Sequence, residues 1–173
     1  MRTSLLFITF ILLFGLIFSG CSLSRESAIS TESMDYDLSA VRGAPTPNDQ
    51  DFIHKMESFI ATAQALIEEL ELGLQEAQAH DELGEVREMM GQTHQDLLYI
   101  WNKVNNDLHP DHPELRKFQA KFVYVVGQYR LGLSTELEGM ESGDPAKLKE
   151  GYETSMRAWE GLQKLSQDAQ VLW

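Results

Sequence analysis

Two imidazoles and a carboxylate crowd into one short stretch, His109-Pro110-Asp111-His112-Pro113. Imidazole and carboxylate together suit zinc, copper or nickel, so His109, Asp111 and His112 are candidate metal ligands. The competing reading is structural. Pro110 and Pro113 cannot continue a helix, and a loop that stops one is polar because it meets water. Other spacings carry less. Asp51 and His54 are three apart, but the pair is single, whereas di-iron bundles repeat Glu-x-x-His on two helices. Glu76 and His80 make an ordinary surface pair four residues apart. Met89, Met90 and Met156 read as core filler, so no cofactor is assigned. There is no Gly-x-Ser-x-Gly, and Gly84 and Gly91 form no phosphate loop. With no catalytic constellation, the chain is expected not to be an enzyme.

Cys21 is the only cysteine. Ahead of it come Arg2, an almost wholly apolar run over residues 5–18, and the small pair Ser19-Gly20. That is the layout of a secretory leader, and the run falls short of the roughly 20 apolar residues a spanning helix needs. Phe18-Ser19-Gly20-Cys21 resembles the lipobox of bacterial lipoproteins, with Phe18 standing where that family usually has Leu. The resemblance implies a diacylglyceryl group on the Cys21 sulfur and cleavage between Gly20 and Cys21. Two acyl chains give stable attachment where one is marginal, at about 0.8 kcal/mol per buried methylene. Ser22, rather than Asp, implies the outer membrane in a two-membrane bacterium and the outer face of the cell membrane otherwise. The expected location is therefore extracytoplasmic and lipid-anchored.

Acidic residues number 27 against 14 Lys and Arg, a formal net charge of −13. Loss of the leader removes Arg2 and makes the balance one unit more negative. A field of that sign repels nucleic acid and anionic headgroups, and Arg116, Lys117 and Lys121 make only a small basic cluster. Nucleic acid is thus excluded as a partner. The acid excess reads chiefly as solubility.

These residues need elements to position them. After the leader (1–20), the stretch 21–48 is rich in Ser and ends in Gly43-Ala44-Pro45-Thr46-Pro47. It is expected to be a flexible linker, within which a short helix around Tyr36 to Val41 is an open alternative. Residues 49–173 form the folded domain. Phe52, Met56, Phe59, Ile60, Ala63, Ile67 and Leu70 recur at steps of three and four, beginning one amphipathic helix that Asn48 or Asp49 can cap. Leu83, Val86, Met90, Thr93, Leu97, Ile100 and Val104 make an unbroken heptad seam. Leu115, Phe118, Phe122, Val125, Val126, Tyr129, Leu133 and Leu137 mark a third helix, in spite of the strand-like run 122–126. Asp144-Pro145 opens a fourth. A turn at His80-Asp81 leaves four segments of similar length, so the predicted fold is all-α, an antiparallel up-down four-helix bundle.

Tyr99 and Tyr124 lie off the apolar stripes, and Trp173 ends the chain. These three are the candidate partner surface, since aromatic rings carry apolar area with a polar tip. The domain resembles, in general pattern only, the small helical-bundle lipoproteins whose role is undefined, which transfers no functional residue. The expected function is a membrane-tethered binding or assembly module with an envelope protein partner. The alternative is an envelope metal- or cofactor-binding bundle built on His109, Asp111 and His112. Oligomeric state is not legible.

Overall fold

Proline opens three of the four helices, and hydrophobic periodicity carries each of them. In the computed structural model, which describes residues 35–43, 45–80 and 83–172, the four helices are α1 Pro47–His80, α2 Leu83–Asp107, α3 Pro113–Ser142 and α4 Pro145–Ala169. No strand occurs among the described residues. At 1.5 Å per residue the helices run about 38 to 51 Å. The leader, Gly20, Cys21 and Trp173 lie outside the described residues, so cleavage, lipidation and the terminal indole have no structural counterpart here.

The first helix starts slightly before its expected cap. Thr46 takes that place and Pro47 the first helical position. The Asp49 N–H donates to Thr46 Oγ1 at 3.1 Å, and the Thr46 N–H donates back to Asp49 Oδ2 at 3.2 Å. This reciprocal box satisfies two backbone donors that a helix start leaves unpaired. α1 ends at His80, where the turn is expected. The α2 end is closed from a distance. Gln119 Nε2, on α3, donates to the Val104 and Leu108 carbonyls at 2.6 and 2.7 Å. His112 caps α3 by accepting the Glu114 N–H at its Nδ1. Gly143 ends that helix at φ 66°, which L side chains rarely adopt, and the Asp144 N–H returns to the Gly139 carbonyl at 2.9 Å. Asp144 then caps α4, accepting from Ala146 N–H at 2.9 Å.

The run 122–126 is helical. Its branched and aromatic residues serve a core on one side: Phe122, Val125 and Val126 are buried with Leu115, Phe118, Tyr129 and Leu133. Met56, Ile60 and Ile67 of α1, Met90, Leu97 and Val104 of α2, and Leu162 and Leu165 of α4 complete it. Full burial of such a side chain stabilises by roughly 1.5–3 kcal/mol each, which makes this interior the main source of stability. Each helix packs on the next, most extensively α3 on α4, and α1 also packs on α4.

The linker expectation needs correction at its far end. Leu38–Gly43 forms a 3-10 turn packed on α3. Leu38 and Val41 are buried in the common core. Side chains three apart eclipse on a 3-10 turn, so this pair points to one side and is covered there. The structured region therefore begins ahead of residue 49, and the short-helix alternative describes this stretch.

Candidate functional site: the docked strap and its groove

Residues 35–43 act as a strap, held by contacts with the start of α3 and the end of α4. Asp37 organises it locally, accepting the Ser39 N–H at 3.0 Å, while its own N–H donates to Glu114 Oε2 at 2.7 Å. Hydrogen bonds from Ser39 hold the Asp37 carboxyl below its ordinary range. Glu114 is also lowered, first by its bond to Lys117 and then by the Asp37 N–H. Tyr36 reaches across the bundle. Its hydroxyl donates to Asp168 Oδ2 at 2.7 Å, and its ring meets Phe118 edge-on, centroids 5.4 Å apart. Burial first, and then Asp168, raise the Tyr36 phenol, so it stays a donor.

Beside the strap lies an open groove of about 620 Å³. Leu38, Gly161 and Leu165 are among its lining, with Lys121 and Lys164 and the carboxylates Asp37 and Asp168. Apolar area interrupted by a few charges of both signs suits recognition of a peptide or small ligand. None of these charges is paired with another in the manner of a nucleophile and its base.

The proline loop between α2 and α3 sits against the first turn of α1. Asp49 is 2 % exposed. Its Oδ1 accepts the backbone N–H groups of Asp111 and His112 at 2.8 and 2.9 Å. Its Oδ2 accepts the Thr46 hydroxyl at 2.9 Å. Burial pushes this carboxyl up, but the bonds from His112, Thr46 and Asp111 outweigh it and the net shift is down. Asp111 and His112 use their side chains structurally, and His109 its backbone carbonyl, which accepts from Asn48 Nδ2. Asp111 Oδ2 shares the one Thr46 hydroxyl proton with Asp49 Oδ2, and the His112 ring caps α3. Among the described residues, no group of three or more His, Cys, Asp or Glu is placed to hold a metal ion.

Of the candidate partner aromatics, Tyr99 is 61 % exposed, with Lys103 Nζ 5.7 Å from its ring centroid. Tyr124 is 37 % exposed, with Lys121 Nζ 5.8 Å away. Trp101 turns inward instead, its Nε1 donating to the Val123 carbonyl at 3.0 Å.

Sequence reading missed a further polar group. Glu136 on α3 accepts the Ser155 hydroxyl of α4 at 2.7 Å. Burial pushes its carboxyl from an ordinary 4.5 up to about 7, against the smaller opposing pull of that bond. A signal was present: Glu136 lies seven residues after Tyr129 and three after Leu133, on the core-facing stripe.

No protein-family model, curated protein or solved structure matches the chain.

Proposed function

We propose that the chain is a lipid-anchored, extracytoplasmic lipoprotein whose bundle is a non-catalytic binding or assembly module. The observation that carries this reading is the strap. The segment that would connect Cys21 to the bundle is docked at a defined place, beside an open groove of about 620 Å³. Fourteen residue steps separate Cys21 from Asp35, which limits the reach between them to about 50 Å. A partner seated in the groove would be held within that reach of the membrane. No described helix is long and apolar enough to cross a membrane.

The proposed architecture is an antiparallel up-down four-helix bundle. Register supports it. Trp101 contacts Val123 while His94 meets Arg130 and Arg87 meets Met140, so numbers rise on α3 as they fall on α2. Across α3 and α4, Gly132 lies by Ser155 and Gly139 by Leu148.

The test is crosslinking in cells, with wild type, Cys21→Ala and Lys164→Glu compared by mass spectrometry. A partner captured by wild type, lost with Cys21→Ala and reduced at least severalfold with Lys164→Glu, supports a tethered module that uses this groove. Equal capture by all three variants contradicts it.

A further inference from the structure

The strap is part of the groove it lies beside. Asp35 through Ser39 supply its share of the lining, and residues between 161 and 171, with Lys121 of α3, supply the rest. With the strap lifted away, the groove loses that side and becomes open surface of α3 and α4. An occupant touching both sides therefore holds the strap down.

What holds the strap is limited and reversible. Leu38 and Val41 are buried, and the Tyr36 ring sits edge-on to Phe118. Two hydrogen bonds tie it to other elements through the carboxylates Glu114 and Asp168. Lifting the strap strands neither acceptor. Glu114 keeps Lys117 at 2.8 Å, and Asp168 is only half-buried, so water replaces the phenol. The apolar area lost is offset in part by the backbone freedom that residues 35–43 regain. The packing of α3 on α4, the most extensive helix contact in the molecule, does not run through the strap. Release also has a stop. Thr46 and Asp49 box the start of α1, and buried Asp49 holds the Asp111 and His112 N–H groups as well. A segment held this way opens at lower free energy than the bundle unfolds.

Direction matters too. A pull arriving along the chain from Cys21 meets Tyr36 first, then Leu38 and Val41, and last the Thr46–Asp49 box. We propose that the strap is a releasable wall: the groove is complete only while the strap is docked, and tension from Cys21 peels the strap and opens the groove. This rests on the reading of Cys21 as lipidated and of the groove as a partner site. Peeling as far as Thr46 frees eleven residue steps beyond Asp35 and lengthens the reach by up to about 40 Å. A seated partner and a released strap exclude each other. Linkage makes the effect mutual, so a partner that favours the docked strap resists the pull by the same factor.

Thiol labelling of the full chain in detergent tests release, with each labelled site read by peptide mass spectrometry. Val41→Cys reports on the strap, and Val104→Cys, equally buried on α2, reports on the bundle. The strap site is expected to label at least about 100-fold faster, with little dependence on urea below the unfolding transition. Adding Tyr36→Phe is expected to speed the strap site about two- to tenfold, the worth of one hydrogen bond, and to leave the bundle site unchanged. Equal rates at the two sites overturn release. Should Val41→Cys fail to fold, Leu38→Cys is read the same way. Crosslinking in cells then separates this inference from the reading beneath it. Val41 does not line the groove, so Val41→Asp lifts the strap without replacing a lining residue. Partner capture reduced at least severalfold by Val41→Asp, with the bundle still melting cooperatively, supports the wall. A bundle that no longer melts cooperatively makes the strap a fixed part of the core and overturns release. Capture untouched by Val41→Asp but reduced by Lys164→Glu overturns the wall and leaves the groove reading standing. Capture untouched by both overturns the groove reading, and the wall with it.

Discussion

Tyr36 donates its hydroxyl to Asp168 at 2.7 Å, across 132 residues of sequence. This bond joins the strap to the end of α4, and the Tyr36 ring seals against Phe118 beneath it. Tyr36→Phe keeps the ring and removes the donor. We predict a loss of about 0.5–1.5 kcal/mol in unfolding free energy, the ordinary net worth of one such bond. Tyr36→Ala also removes the ring and should cost more, with proteolytic nicking appearing near residues 35–43. Denaturant melts and limited trypsin or chymotrypsin digestion check both.

Asp49 is the second anchor, because one buried carboxylate closes the α1 start and the α2–α3 loop together. Asp49→Ala strands the Asp111 and His112 N–H groups, at an expected cost of roughly 1–3 kcal/mol. The pH dependence has a definite sign. Asp49 is lowered in the folded chain, so its contribution is present above the ordinary carboxylate range and disappears as pH falls through the folded value. Thermal melts of wild type between pH 5 and pH 2 should steepen with acid, and Asp49→Asn should lessen that slope.

Glycines separate by what they touch. Gly132→Ala and Gly151→Ala force a methyl into backbone of the facing helix, and overpacking of that kind costs about 1–3 kcal/mol. Gly84 has nothing within 4 Å of an added Cβ and lies in the first turn of α2. Gly84→Ala should therefore stabilise, by up to about 1 kcal/mol. Gly91→Ala, equally open, should behave the same way. Melting temperatures of the four variants decide, and uniform stabilisation would contradict the close seam.

Much of this fold is readable from residue type and period. Phe118, Phe122, Leu133 and Leu165 are core residues by spacing and by position, and Asp144-Pro145 caps α4 as expected. Tyr36 and Asp168 were not legible as a pair, since periodicity speaks of one helix at a time and says nothing of what meets across the bundle. Leu38 and Val41 form too short a run to stand out from a Ser-rich stretch. His109, Asp111 and His112 gave a metal-like composition, but composition does not reveal that Asp49 holds the loop backbone and that the His112 ring caps a helix. Glu136 was hidden for a related reason. An acidic residue on an apolar stripe is a signal, but its partner shows only once Gly151 and Ser155 are known to face it.

The central claim is that lipid on Cys21 tethers this bundle outside the cytoplasm. Intact-mass and N-terminal peptide analysis of the chain purified from membranes tests it most directly. The predicted result is a chain that starts at Cys21, lacks residues 1–20 and carries a diacylglyceryl group, with Cys21→Ala left unacylated and released from the membrane fraction. A chain retaining its leader, or one cleaved but bearing a free Cys21 thiol, would contradict the claim.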